Sequence, residues 1–421
     1  MIPFRFFEYR NGELHAEDVP LASIAAKFGT PTYVYSRAAL TAAWCEFTSE
    51  LAGRDTLVCY AMKANSNLAV LDTFARLGAG FDIVSGGELK RVIAAGGTPS
   101  KVIFSGVGKT EADIALALSH GIFCFNIESA SELDRVNTVA GAVGRVAPFS
   151  IRVNPDVDAR THAYISTGLK ENKFGVELHA AVDLYRHASG LANVEITGVD
   201  CHIGSQLTDP APLFEALEKM LALIDALAVE GIAIRHLDLG GGLGIRYSNE
   251  VPPDPGAYMR EILRRVGSRR LKLMFEPGRS LVGNAGVLVT RVEYLKAAAA
   301  KNFAIVDAAM NDLLRPSLYS AHHEILEVRM TPLTAVIYDV VGPVCESGDF
   351  LGKERKLAIA EGDLLAVMSA GAYGMVMSSN YNARPRAAEV MVDGDKCDLV
   401  RMRENVDDLF ALERIPGNRC V

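Results

Sequence analysis

The chain has 421 residues, of which 49% are hydrophobic, 22% charged and 7% aromatic. This composition is typical of a globular enzyme and argues against a fibrous, disordered or disulfide-stapled chain, and the length predicts two or three domains because single cores stop growing at roughly 250 to 300 residues. The net charge is −8, from 43 Lys and Arg against 51 Asp and Glu. Since no basic block is long enough to follow a phosphate backbone, a small metabolite is favoured over nucleic acid as the partner.

The sequence predicts neither a membrane span nor a secretory signal. Its most apolar helical stretch, 213–229, contains four charged side chains, whereas a span needs about twenty apolar residues in a row. Glu8 and Arg10 stand where a signal peptide would have its apolar stretch, so we expect a cytoplasmic protein. Seven cysteines, an odd number without C-x-x-C spacing, argue against a disulfide framework and a zinc knuckle.

The first thirty residues and the part of the chain after residue 283 share a β-rich pattern. Residues 1–30 contain a strand pair around the turn Asn11-Gly12, and the C-terminal part, 284–421, alternates β-rich runs with Gly-Asp and Asp-Gly turns. This pattern predicts an antiparallel, Greek-key-like β domain. We expect the N-terminal segment to pack with it.

Between these parts, short β-rich runs alternate with amphipathic helical stretches that end at glycine, a pattern that predicts a parallel sheet. The runs lie at 56–62, 81–85, 101–105, 122–126, 148–153, 195–203, 234–239 and 272–277. Eight strand–helix units predict a (β/α)₈ barrel, which we assign to residues 31–283. The alternative is an open doubly wound sheet, but its G-x-G-x-x-G turn is expected after the first strand, whereas the Gly-rich turn here follows the seventh.

Unusual polar or glycine residues follow four of the predicted barrel strands. Lys63 follows the first strand, His202 the sixth, the glycines 240–242 the seventh and Glu276 the eighth. Because the C-terminal ends of barrel strands converge on one mouth, these four positions predict one pocket.

Each of these positions also has an ordinary explanation. A lysine after a strand is usually a solvated loop residue, a lone histidine is more often a hydrogen-bonded core or loop side chain, glycines serve tight turns, and E-P-G-R is compatible with a turn. Together they describe a pyridoxal phosphate site: an amine that its apolar flank makes nucleophilic, a flat histidine, an acidic strand end, and a glycine turn that offers backbone N–H groups ahead of a helix.

A series of longer motifs resembles the family of diaminopimelate decarboxylases, pyridoxal phosphate enzymes that share the alanine racemase type of barrel with ornithine and arginine decarboxylases. The motifs are YAMKAN, DIVSGGEL, HAYISTGLKENKFG, DCHIGSQ, DLGGGLG, FEPGRS, RPSLYSAHH, VVGPVCESGDFLG, SAGAYG and YNARPRAAEV. They extend over nearly the whole chain. The resemblance implies pyridoxal 5'-phosphate as cofactor, decarboxylation of meso-2,6-diaminopimelate to L-lysine, and a homodimer with shared active sites.

The resemblance also assigns roles around the cofactor. Lys63 would carry it covalently, His202 would stack on its ring, and Glu276 would face the ring nitrogen. The phosphate would be bound by the glycine turn and its neighbours: Ser205, Gly240, Gly241, Gly242, Gly278 and Arg279. Since an ionised carboxylate stabilises a protonated ring nitrogen, whereas racemases on the same barrel place a cation there, Glu276 favours decarboxylation.

The substrate would be bound by residues from both predicted domains. Arg279, Arg315 and Tyr319 would bind its carboxylate, for which guanidinium groups are suited because they bind bidentately. Tyr373 would contact cofactor or substrate. Without the surrounding motif, Arg315 before a proline is typical of a surface residue.

Cys345 would supply a proton and Glu346 would bind the distal ammonium of the substrate, both from the partner subunit. By itself, a cysteine beside apolar residues is ordinarily a buried small side chain. Adjacent His322 and His323 cannot both face one metal ion, so we predict no metal site. Two alternatives stay open: a related decarboxylase acting on ornithine, arginine or a carrier-tethered amino acid, which Glu346 argues against, and a non-catalytic protein on the same fold, which Lys63 and Cys345 argue against.

Overall fold

The computed structural model describes residues 5–158 and 173–416, which form two compact units. One unit comprises residues 40–283. The other comprises the described residues up to Ala39 together with those from Asn284 onward. Of the motif HAYISTGLKENKFG, all but the last three residues lie outside the described part of the chain.

The strands are numbered here in chain order. They are β1 (Phe7–Arg10), β2 (Glu13–Ala16), β3 (Val19–Pro20), β4 (Thr32–Ser36), β5 (Thr56–Ala61), β6 (Gly80–Ile83), β7 (Val102–Phe104), β8 (Cys124–Ile127), β9 (Ala147–Asn154), β10 (Val176–Glu177), β11 (Val194–Asp200), β12 (His236–Asp238), β13 (Lys272–Phe275), β14 (Gly286–Ala297), β15 (Asn302–Val306), β16 (Ile325–Glu327), β17 (Val336–Val341), β18 (Phe350–Leu357), β19 (Leu364–Val367), β20 (Ala388–Asp393) and β21 (Lys396–Arg401).

The α-helices are α1 (Leu21–Phe28), α2 (Arg37–Thr48), α3 (Leu68–Arg76), α4 (Gly86–Ala94), α5 (Glu111–His120), α6 (Ala130–Ala142), α7 (Leu178–Ser189), α8 (Ala211–Val229), α9 (Pro255–Val266), α10 (Arg279–Val282) and α11 (Arg315–Tyr319). Several barrel helices begin at a side chain that accepts a backbone N–H, which satisfies one of the unpaired donors of the first turn. These N-caps are Asn67, Ser85, Thr110, Ser129 and Asp254. Within the described residues, no helix combines the length and apolarity needed to cross a membrane.

The unit of residues 40–283 contains a closed parallel barrel. Its strands follow one another in the order β9, β11, β12, β13, β5, β6, β7, β8, and β8 pairs with β9 to close the ring. The short β10 adds to β9 in parallel. These eight strands coincide with the eight runs read from the sequence, so the predicted (β/α)₈ barrel is confirmed. The carboxyl ends of all eight strands therefore meet at one mouth.

A buried histidine fills the opposite, N-terminal end of the barrel. His236 begins β12 and is 2% exposed, and its ring lies edge-on to Phe123. The neighbouring strand has Gly198, where a Cβ would be 2.1 Å from Nε2 of His236. Burial, with smaller contributions from Arg235 and Lys272, lowers the pKa of His236 to about 4.

The other unit is built on a mostly antiparallel sheet, as the sequence predicted. Its strands lie in the order β18, β17, β15, β14, β4, β20, β21, with β19 also paired to β14 and β16 paired to β19. A separate three-stranded sheet, β1 to β3, contains the predicted strand pair, and its turn residues Asn11 and Gly12 have φ values of 51° and 78°. Apolar residues of both sheets share one core, including Phe7, Leu14 and Val287.

One boundary differs from the sequence-based assignment. We placed the start of the barrel domain at residue 31, but β4 pairs with β14 and β20 in the sheet of the other unit, and all five of its residues are buried there. The unit that contains the barrel begins at Leu40. The physical reason is that the run TYVYS specifies a buried strand without specifying which sheet it joins.

Candidate active site

Lys63 lies on a single 3₁₀ turn, Met62–Ala64, directly after β5. Its Nζ donates to Oδ2 of Asp82 at 2.6 Å. Asp82 belongs to β6 and its side chain is fully buried, whereas the Lys63 side chain is 37% exposed. A partly accessible amine is thus held at the barrel mouth by a buried carboxylate.

His202 follows β11 and presents a neutral ring. Its Nδ1 accepts the N–H of Gly241 at 3.2 Å, so the ring proton is on Nε2. Desolvation, followed by the positive charges of Arg152 and Lys63, lowers the pKa of His202 well below its ordinary value. A neutral, flat ring can stack on another ring without repelling a positive charge on it.

The glycines 240–242 form a turn in which side chains cannot be accommodated. A Cβ at Gly240 would lie 2.8 Å from Cys201 O, one at Gly241 2.3 Å from Glu276 O, and one at Gly242 2.8 Å from Gly204 O. Gly240 and Gly242 also have φ values of 62° and 121°, which favour glycine. The turn therefore depends on glycine for space at all three positions and for conformation at Gly240 and Gly242.

The structure contradicts one detail of the predicted phosphate site. No helix follows the turn: the next helix, α9, begins at Pro255. Two of the turn's N–H groups are also used inside the protein, since Gly240 donates to Oδ1 of Asp238 at 2.8 Å and Gly241 donates to His202. A sequence of three glycines indicates a tight turn, but it does not reveal which backbone donors stay available.

Arg279 and Ser205 are brought together beside this turn. Nε and Nη2 of Arg279 donate to Ser205 Oγ at 3.3 and 3.2 Å, and Nη1 donates to the hydroxyl of Tyr247 at 2.6 Å. The preceding Gly278 packs closely, because a Cβ there would lie 3.2 Å from Ala61. A guanidinium, a hydroxyl and a glycine turn in one place form a donor set suited to a phosphate.

Glu276, directly after β13, lies in a cluster of buried carboxylates. Its Oε1 accepts from Asn126 Nδ2 at 3.3 Å and from Ser105 Oγ at 3.4 Å. Asp200 and Asp238, the last residues of β11 and β12, bring their carboxylate oxygens within 4.8 Å of those of Glu276. Three fully ionised carboxylates this close and this buried would repel one another strongly.

The protonation of this cluster follows from its burial. Desolvation, then repulsion by Asp82 and Asp238, raises the pKa of Glu276 well above its ordinary value, and desolvation raises the pKa of Asp238 to about 7. A cation placed against Glu276 would favour its ionised form. The cluster is therefore suited to a positively charged ring nitrogen, and the mouth as a whole fits pyridoxal phosphate.

A buried ion pair supports the His202 side of the mouth. Arg152 Nη1 lies 3.1 Å from Oε1 of Glu128, and its Nη2 donates to the carbonyl of His202 at 3.5 Å. Oε2 of Glu128 accepts the N–H of Gly175 at 2.7 Å, and the Arg152 guanidinium lies 4.9 Å from the ring centre of Phe174. This ion pair thus connects His202 to the segment that contains Phe174 and Gly175.

The other unit contains the remaining predicted substrate residues. Arg315, the first residue of α11, is buried and donates from Nη1 to Nε2 of His323 at 2.8 Å, while Nδ1 of His323 donates to Met368 O at 2.8 Å. Arg315 is therefore not the surface residue that its sequence context alone suggests. Tyr319 ends the same helix and is half-buried, and Tyr373 has a φ of 54°, a left-handed conformation that is rare for an aromatic residue.

Cys345 and Glu346 lie on the loop between β17 and β18. Both are exposed within their unit. The Cys345 N–H donates to Asn382 Oδ1 at 3.0 Å, and Glu346 Oε1 accepts from the Tyr381 hydroxyl at 2.5 Å. The loop is held by Asp349, whose carboxylate accepts N–H groups at 2.7 and 2.8 Å. It presents an accessible thiol and a carboxylate on a fixed backbone.

The barrel mouth thus gathers the cofactor residues predicted in its own unit, and it adds residues that the sequence analysis did not single out: Asp82, Asp200, Asp238, Glu128, Arg152 and Tyr247. Three of them are buried aspartates, one within β6 and two at the ends of β11 and β12. Because Asp is almost never fully buried unless it is paired, an aspartate in a predicted barrel strand could have been recognised from the sequence as a candidate site residue.

Comparison with known proteins gives consistent matches. Residues 37–283 match the family described as pyridoxal-dependent decarboxylase, pyridoxal binding domain. A diaminopimelate decarboxylase of Pseudomonas aeruginosa is 61% identical over 97% of this chain and 99% of its own length. Solved structures with L-lysine include diaminopimelate decarboxylases from Helicobacter pylori (43% identity, TM-score 0.90, 93% of this chain and 99% of that chain) and M. jannaschii (35%, 0.94, 99% and 99%).

Proposed function

Because the chain belongs to the family of diaminopimelate decarboxylases, whose members it matches over nearly its full length, we propose that its barrel mouth is the site at which meso-2,6-diaminopimelate loses CO₂ to give L-lysine. The cofactor is pyridoxal 5'-phosphate, which serves as the sink for the electrons left when CO₂ departs. The alternative of an ornithine- or arginine-type decarboxylase is not favoured, since relatives at 47–61% identity are diaminopimelate decarboxylases.

The observation that carries this proposal is that an amine and a cluster of buried carboxylates lie at the same barrel mouth. Lys63 supplies the amine that attaches the cofactor, and Glu276 supplies the carboxylate for the ring nitrogen. The neutral ring of His202 provides a flat surface for stacking. Ser205, Arg279 and the glycine turn hold the phosphate.

The proposed substrate residues carry charges opposite to those of the substrate groups that they bind. Arg279, Arg315 and Tyr319 bind the carboxylate at the far end of the substrate, and Glu346 binds the ammonium beside it. Cys345 donates the proton that replaces the departing CO₂. Tyr373 contacts the cofactor or the substrate, supported by its strained backbone, since such strain concentrates at functional sites.

We also propose that two subunits form each active site. Cys345 and Glu346 belong to a different compact unit from Lys63, and both are exposed within that unit. In a two-fold dimer, each barrel mouth would receive the Cys345 loop of the other copy. Since lysine formation is a biosynthetic step, we place the enzyme in the cytoplasm.

A direct assay tests the proposed function. The purified protein, loaded with pyridoxal phosphate, should release CO₂ and L-lysine in equal amounts from meso-diaminopimelate, and Lys63→Ala should abolish this release. Absence of CO₂ from a wild-type preparation with cofactor demonstrably bound would refute the proposal.

A further inference from the structure

A cavity lies at the end of the barrel opposite to the mouth. Its volume is about 380 Å³, and its lining includes residues just before β5 and β12 and the first residues of β13. These are the N-terminal ends of the strands, whereas Lys63 and Glu276 follow the C-terminal ends. The proposed function makes no use of this cavity.

The lining of the cavity combines an apolar floor with a cationic rim. The floor is formed by Leu263, Val266, Leu271 and Leu273. The rim is formed by five cations, Arg54, Arg235, Arg269, Arg270 and Lys272, with Asp55 as its one carboxylate. This concentration of positive charge stands out on a chain whose net charge is −8.

Three of the five cations are balanced by carboxylates. Lys272 pairs with Asp55, Arg235 with Glu195 at 2.8 Å and Arg269 with Asp225 at 3.0 Å. For the other two, Arg54 and Arg270, no carboxylate lies within ion-pair distance among the residues that the structure describes. Two guanidinium groups on one concave surface are therefore left to attract an anion.

The backbone around the cavity keeps these side chains close together. The Lys272 N–H donates to Arg235 O at 3.0 Å, and the Leu273 N–H donates to Asp55 O at 3.0 Å. The segments before β5, β12 and β13 are thereby joined edge to edge. A preorganised rim loses less conformational freedom on binding than cations on separate flexible loops.

We propose that this cavity binds a small oxyanion with two or more negative charges, of the phosphate or polycarboxylate class. Guanidinium groups suit both chemistries, because their planar forks donate bidentately to oxyanions. Since the four rim arginines are exposed, salt weakens the attraction, and the affinity falls as ionic strength rises.

Isothermal titration calorimetry on the holoenzyme tests the proposal, with pyrophosphate and citrate as separate probes at low salt. Using the holoenzyme keeps the cofactor-phosphate site filled. At least one probe should bind with a Kd below about 1 mM, and Arg54→Gln with Arg270→Gln should weaken it at least about tenfold. Binding of pyrophosphate alone would identify a phosphate site, and binding of citrate alone a carboxylate site.

The matched control is Arg76→Gln with Arg264→Gln, which removes the same charge from exposed barrel arginines outside the cavity. It should bind the probe like wild type. An equal loss in the control would overturn the proposal, because the attraction would then be non-specific. Absence of binding to wild type would also overturn the proposal. A lower melting temperature of the cavity variant would then show that the cations stabilise nearby helix C-termini such as that of α9.

Discussion

The Nζ atom of Lys63 and the Oδ2 atom of Asp82 lie 2.6 Å apart, with the carboxylate fully buried and the amine partly exposed. The pair joins the ends of the first and second barrel strands. An amine must be uncharged to attack a carbonyl carbon, and a neighbouring carboxylate favours its charged form. Asp82 therefore influences the pH at which Lys63 can attach the cofactor.

Asp82→Asn should shift covalent attachment of the cofactor to lower pH, because the variant lacks the negative charge that favours the protonated amine. The measurement is the fraction of chains tagged after borohydride reduction, determined across a pH series with added pyridoxal phosphate. Asp72→Asn, which removes a half-buried carboxylate paired with Arg76 away from the mouth, is the control and should follow wild type. An unchanged profile for Asp82→Asn would show that Asp82 only holds the lysine in place.

His236 should make the protein less stable in acid. Its pKa is about 4 in the folded chain and about 6.5 when unfolded, so the unfolded state binds more protons between these values and stability is lost as pH falls. Between about pH 7.5 and pH 5 the loss from this group is about 2 kcal/mol.

The check is to compare chemical denaturation of wild type and His236→Gln at the two pH values. The variant loses ring packing and should be less stable at neutral pH, but its stability should change less on acidification. Buried carboxylates with raised pKa, such as Glu276, act in the opposite direction in both proteins and cancel in the comparison. An identical pH dependence in both would contradict the buried neutral state of His236.

Glu346→Gln should lower kcat/KM for meso-diaminopimelate at least about tenfold while the cofactor stays bound, because the anion that binds the distal ammonium is lost. Glu293→Gln, which removes an exposed carboxylate of the same unit, is the control and should have the kcat/KM of wild type.

For wild type, ornithine and lysine should be poorer substrates by about a thousandfold, since they leave the groups that recognise the distal carboxylate unpaired. Comparable kcat/KM for ornithine and meso-diaminopimelate would favour the broader decarboxylase alternative.

Sharing of active sites between subunits can be tested by complementation. Lys63→Ala and Cys345→Ala should each be nearly inactive, yet a mixture that is unfolded and reassembled should regain activity, because a mixed dimer has one site with both residues intact. Each variant refolded alone is the control. If subunit exchange is demonstrated and no activity returns, each chain completes its own site.

The barrel was predictable because its strands are buried on both faces and so form short, nearly continuous apolar runs. Lys63 and Glu276 could be predicted to lie at one mouth, because both follow barrel strands whose C-terminal ends converge. The sheet that β4 joins was not predictable, because an apolar five-residue run does not specify its hydrogen-bonding neighbour. The Glu128–Arg152 pair was also missed: its members are 24 positions apart, and nothing local indicates that they meet.

The role of Lys63 as the residue that carries the cofactor is tested by borohydride reduction of the holoenzyme followed by peptide mapping. We expect a single pyridoxyl group, on Lys63 in the peptide containing YAMKAN. A label on any other lysine, with Lys63 unmodified, would contradict it.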